Sequence, residues 1–216
     1  MARDRRAAEF GVAVSTARPN VGSLVPWVSL RGAIATQARV NTELGRRGIA
    51  LLAERVPIDV ALRALLEGDA EREIRQVHGL DAEHQFTHTG ADCVPWCGQQ
   101  AGADFTVAGN MLVGPQVIEA MGDELFRSEG TQPLAERLLR GLEAGQAAGG
   151  DKRGKQSAAL LVASPAPRMY HNLRVDDHPE PVVELRRIYD LVVEHSRQVE
   201  REYGPEGVKL FGRVKY

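Results

Sequence analysis

A chain of 216 residues can bury one substantial core, and its 43% hydrophobic and 26% charged residues are ordinary for a globular fold. With 27 basic and 29 acidic side chains the net charge is −2, which argues against a nucleic-acid or anionic-membrane surface. No apolar run approaches the ~20 residues of a membrane span, and no apolar segment follows the basic residues at the start as it would in a secretory signal. The two cysteines, Cys93 and Cys97, make no disulfide framework, so the expected location is the cytoplasm, with no nucleic-acid or membrane partner.

The chain opens MARDRRAAEFGVAVST, where Arg3–Arg6 read as a turn and Phe10–Ser15 as a strand, with a loop over 17–22. Leu24–Leu30 and Gly32–Gln37 are two further β-prone pieces. The period changes over Gly45–Glu67: Ile49, Leu52, Val56, Val60, Leu62, Leu65 and Leu66 fall at helical spacings, with Pro57 separating two helices. Ile74–Leu80, Gln85–Thr89 and Phe105–Ala108 read as strands, and Pro115–Ser128 and Pro133–Ala147 as a second pair of helices. Ser157–Ala163 and Asn172–Val175 are strands. A final helix of about twenty residues follows, with Asp177 as its expected N-cap and Val183, Leu185, Ile188, Leu191 and Val192 inward. Tight turns between strands imply antiparallel pairing, and helices that arrive in pairs imply covering layers. The expected fold is α+β, a four-layer αββα sandwich of two antiparallel sheets flanked by helices, in one domain over residues 1–200 with a tail at 201–216.

Four stretches offer chemistry. GGDKRGKQSA, residues 149–158, has the composition of a phosphate loop, but it leaves a helix and enters a strand, the reverse of a P-loop. Its plainer reading is a helix stop at Gly149 and Gly150 with basic residues near the last carbonyls. His84, His88, Cys93 and Cys97 are zinc-ligand types, yet all lie within fourteen residues, leaving little chain to fold around a tetrahedral centre. Asp176, Asp177 and His178 suit either acid–base work or helix capping. Ser15-Thr16, Thr36-Gln37 and Gly109-Asn110 are small polar pairs that each follow an apolar strand, so stacked sheets would gather them at one end.

The stretches FGVAVST (10–16), VGSLVPWV (21–28), RGAIATQA (31–38), LGRRGIALL (44–52) and TGADCVPWCG (89–98) resemble those of the DUF1028 family. So do VAGNMLVGPQVIEAM (107–121), LEAGQAAGGDKRGKQSAALLV (142–162) and LRVDDHPEPVVELRR (173–187), in family order. That resemblance implies membership of the N-terminal-nucleophile (Ntn) hydrolases and an αββα sandwich. It also implies a first strand of the form Met-Thr-Phe-Ser-Ile-Val ahead of the Ala-Arg-Asp turn, where this chain has only Met1 at the strand's end. Longer relatives carry a further module after the domain.

In an Ntn hydrolase an N-terminal hydroxyl or thiol attacks an amide and its own α-amine serves as base. The resemblance therefore implies an amidohydrolase acting on a small-molecule amide, with its nucleophile expected upstream of Met1. Ser15 and Thr16 are expected beside that nucleophile, and Asn110 is expected to orient the amine or stabilise the oxyanion. Thr36 and Gln37 end a core strand whose next N–H groups, at Ala38 and Arg39, could form an oxyanion hole. No cofactor and no metal are expected. The rival readings are a non-catalytic binding or scaffold protein on the same fold and a metal-dependent hydrolase. A homodimer is the expected assembly, joined through outer-helix apolar surface or through Tyr203, Phe211 and Tyr216.

Overall fold

The computed structural model describes residues 1–204 as a mixed α+β protein with antiparallel sheets and five α-helices. One sheet has the order β1 (Ala2–Asp4), β2 (Glu9–Thr16), β9 (Ser157–Ala163), β10 (Asn172–Val175). The second has the order β3 (Pro26–Ser29), β4 (Gly32–Ala38), β5 (Arg75–Asp81), β6 (Gln85–Thr89), and β7 (Gly98–Ala101) pairs with β8 (Thr106–Gly109). Every pairing is antiparallel. β7 is one element the sequence reading leaves as loop, because GQQA has no apolar alternation.

Three apolar clusters show how the elements stack. α1 (Thr42–Ala53) and α2 (Ile58–Glu67) cover one face of β4 and β5, burying Leu44, Leu52, Ile58, Leu62 and Leu65 against Ile34 and Val77. That packing is close: a Cβ on Gly79 would sit 2.8 Å from carbons of both Ile58 and Leu62. α3 (Gln116–Arg127), α4 (Leu134–Ala147) and α5 (Pro181–Tyr203) bury Ile118, Leu138, Leu142 and Leu185 against Leu160 and Val162. Between the sheets lie Phe10, Val12, Val25, Val28, Ala33, Ala35, Leu80 and Ala159.

Several local expectations change. Arg3 and Asp4 belong to β1 rather than to a turn, because Arg3 is gripped by Asp104 and by carbonyls of Asp81, His84 and Ala103. Asp177 does not cap α5; it accepts from Gln156, while Glu180 holds the cap position and Pro181 starts the helix. Val183 and Leu191 point outward at 63% and 61% exposure, as does Val60 at 51%, and Val56 is only half-buried. Phe211 and Tyr216 lie outside the described residues. No described helix is long and apolar enough to cross a membrane.

Candidate functional site

Strand alternation builds the site. Side chains two apart share a face, so the inter-sheet face of β2 reads Phe10, Val12, Val14, Thr16 and that of β4 reads Ala33, Ala35, Gln37. β5 runs the other way and reads Leu80, His78, Gln76, its register placing Gln76 opposite Gln37 and His78 opposite Ala35. All three strands pass from apolar to polar toward the same end. A cavity of about 260 Å³ opens there, lined among others by Ser15, Thr16, Gln37, His78 and Asn110.

The cavity lies in line with β1. β1 pairs Ala2, Arg3 and Asp4 with Gly11, Phe10 and Glu9. On its other side the Met1 amine donates to the Thr106 carbonyl at 3.1 Å, Thr106 N–H donates back to the Met1 carbonyl at 3.0 Å, and Ala2 bridges Phe105. The N-terminal strand thus joins β2 to β8, with Met1 paired to Thr106. Past that point Val12–Thr16 have, among the described residues, a strand partner only in β9, and Val107–Leu112 line the same cavity. Adjacent strands lie ~4.8 Å apart, so a slot one strand wide separates edges by roughly twice that. Thr106 turns its backbone groups toward β1, and the ladder's alternation turns those of Ala108 into the slot. The Ala108 carbonyl accepts from Gln37 Nε2 at 3.0 Å.

Gln76, fully buried, organises the polar end. Its Oε1 accepts from Gln37 Nε2 at 2.7 Å and Asn110 Nδ2 at 3.1 Å; its Nε2 donates to Thr89 Oγ1 and to the carbonyls of Gly98 and Gly109. This hub escaped the sequence reading, although a glutamine at an inward position of an apolar strand is the signal that could have found it. Deeper in, His78 Nδ1 lies 2.9 Å from Thr106 Oγ1. Burial, with the Met1 ammonium nearby, lowers His78 to about 3; burial and the Arg137 charge lower the Met1 amine to about 5. Thr106 is completely buried, while His78 reaches the cavity wall.

Ser15, Thr16, Gln37 and Asn110 therefore meet at one cavity. Thr36 does not join them: one residue from Gln37, it faces α1, and its Oγ1 donates to the Asn41 carbonyl at 3.2 Å. Of the two expected oxyanion donors, Arg39 N–H is already bonded to the Ile74 carbonyl. Ala38 N–H lies on the edge turned away from β5, as Thr36 N–H does in reaching the Val25 carbonyl. Ala38 and Met111, both on the cavity wall, have φ of 67° and 55°. Such left-handed backbone at non-glycine residues costs about 1–3 kcal/mol and concentrates at functional sites.

The stretch 149–158 borders the open end. Gly149 and Gly150, with φ of 117° and 62°, end α4 as expected. Its basic residues, however, reach away from the helix carbonyls: Lys152 to the Pro95 carbonyl, Arg153 to Asp151, Lys155 to Glu180. The loop is tied to both walls, through Lys152 N–H to the Met111 carbonyl and Gln156 N–H to the Thr16 carbonyl. The zinc-type residues are not gathered. His84 turns to Asp81, His88 to the Arg72 carbonyl and Cys93 to the Arg75 carbonyl, and no group of three or more His, Cys, Asp or Glu among the described residues is arranged to hold a metal.

The model of a family of unknown function, DUF1028, matches residues 1–185. The crystal structure of protein SPO2555 from Silicibacter pomeroyi, assigned to the same family, is 28% identical with a TM-score of 0.81, over 92% of each chain. No curated protein matches the chain.

Proposed function

The chain belongs to the DUF1028 family, and from that premise we propose that it is a four-layer αββα sandwich of the Ntn type whose slot-shaped cavity serves amide hydrolysis. One observation carries this reading: β1 contacts both β2 and β8, and the cavity that continues along its line ends among Thr16, Gln37 and Asn110. A strand continuing β1 antiparallel to β2 would place its fourth residue before Met1 opposite Thr16, on the inter-sheet face that carries Gln37. A terminal Thr or Ser there has hydroxyl and α-amine together at the mouth. Its oxygen attacks the amide carbonyl while the amine, with a reference pKa of ~7.7–8.0, takes the hydroxyl proton. In this reading the oxyanion would accept from Ala38 N–H and from the Asn110 Nδ2 proton not given to Gln76. Collapse transfers that proton to the leaving amine and leaves an ester, which water then hydrolyses.

A second reading, a non-catalytic binding protein, is favoured by a different fact. Among the described residues, no hydroxyl that reaches the cavity has a base beside it; Thr16 Oγ1 accepts from Arg153 instead. Chains with and without an added Thr-Phe-Ser-Ile before Met1, assayed on a panel of small chromogenic anilides, separate the two. Turnover by the extended chain alone supports hydrolysis, whereas turnover by neither leaves the binding reading.

A further inference from the structure

We propose that the mouth of the slot holds a carboxylate, so that its ligands are small amides bearing a free carboxyl group close to the amide. This rests on the amide-binding reading of the site for the ligand's identity, but the carboxylate subsite itself rests on charge and geometry. The cavity passes from buried walls (Val12, Val25, Val107, Ile118) through the half-buried Ser15, Thr16, Gln37 and Asn110 to exposed cations at its rim. Three cations, Arg18, Arg153 and Lys155, line it against one acid, Asp151.

The three cations are not equivalent. Lys155 is spent on Glu180, at 2.6 Å. Arg153 is ion-paired with Asp151 but keeps a donor free. Asp151 takes its Nε at 3.0 Å and its Nη2 at 2.6 Å, and the same Nη2 lies 3.3 Å from Thr16 Oγ1. That fixes the guanidinium across the mouth and leaves Nη1 without a protein partner among the described residues. Asp151 is itself fixed, bonded by the Arg153 N–H and bridged through its backbone to Leu112. Arg18, on the facing loop after β2, has no ion-pair partner among the described residues. Arg174 on neighbouring β10 is occupied by Asp176. Two guanidinium groups with free N–H donors therefore line the mouth, Arg153 beside Thr16, and planar donors of this kind match a carboxylate.

The test is an NMR titration of the ¹⁵N-labelled 216-residue chain with N-acetylglycine and, separately, neutral N-acetylglycinamide. N-Acetylglycine is expected to shift the amides of Thr16, Arg18 and Gly154 saturably, with much smaller shifts from the glycinamide. Arg18→Gln is expected to weaken the acid by up to about fivefold, the range of an exposed charge pair, and Arg18→Glu to abolish it. Thermal melts of both variants check the fold. Equal response to the two compounds, shifts located elsewhere, or no saturable shift with either would overturn the carboxylate subsite. If the acid binds but the Thr-extended chain cleaves nothing, the subsite stands and hydrolysis falls. If the extended chain cleaves neutral and acidic amides equally, the subsite falls alone.

Discussion

Filling the slot is the perturbation with the largest calculable consequence. Extending the chain by Thr-Phe-Ser-Ile continues β1 toward the mouth, and alternation decides where each side chain goes. Met1 lies in the inter-sheet cluster and Ala2 in the cluster under α3–α5. The added Phe and Ile therefore fall on the Ala2 side, beside the lining residues Ile118, Met121 and Leu142, while Thr and Ser face the second sheet. Burying the two apolar side chains gains about 1.5–3 kcal/mol each. Four or five new backbone bonds to β2 and β8 add about 1 kcal/mol each, against about 1–2 kcal/mol per residue for ordering the backbone. The net expectation is about 3 kcal/mol, or a rise in melting temperature of about 6–12 °C for a domain of this size. Changing the terminal Thr to Ala should keep that gain while removing any hydrolase activity, since strand and nucleophile reside in different atoms. Differential scanning calorimetry of the three chains measures it. An extended chain no more stable than the original would mean that the slot does not accept a strand in the register of β1.

Further outcomes follow from the same geometry. The Met1 amine is lowered from 8.0 to about 5, so the unfolded chain binds more protons between those values and stability falls as pH drops from about 8 to about 5. At roughly 1.4 kcal/mol per pH unit that is about 4 kcal/mol, and His78, lowered from 6.5 to about 3, adds loss in the same direction below pH 6.5. Urea unfolding from pH 8 to pH 5 checks this, and the Thr-extended chain should keep only the part due to His78. Gln76→Ala strands Gln37, Asn110 and two backbone carbonyls, so a loss of about 2–4 kcal/mol is expected by the same method. Leu62→Ala, at a fully buried position between α2 and β5, should cost about 2–5 kcal/mol without changing ligand binding at the distant slot. Light scattering at micromolar concentration should report the proposed homodimer, and Phe126→Ser, at an outer-helix side chain 73% exposed, should shift it toward monomer if that surface is the interface.

Local pattern alone located most elements, because period-2 and period-3.6 burial is written residue by residue. Gln85–Thr89, Ser157–Ala163 and Asn172–Val175 can be bounded without coordinates, and helices arriving in pairs already implied layers on sheets. It also singled out Ser15, Thr16, Gln37 and Asn110 as polar groups at strand ends. What alternation along one strand does not reveal is which of two neighbours faces the other sheet. Only the stacking separated Gln37, which faces the cavity, from Thr36, which serves α1. The importance of Gln76 and His78 depends on β5 running opposite to β2 and β4, so that the start of one strand meets the ends of two others. The cavity belongs wholly to tertiary structure: its walls come from strands distant in sequence, and Met1 holds β1 between them through a hydrogen bond to Thr106, 105 residues away.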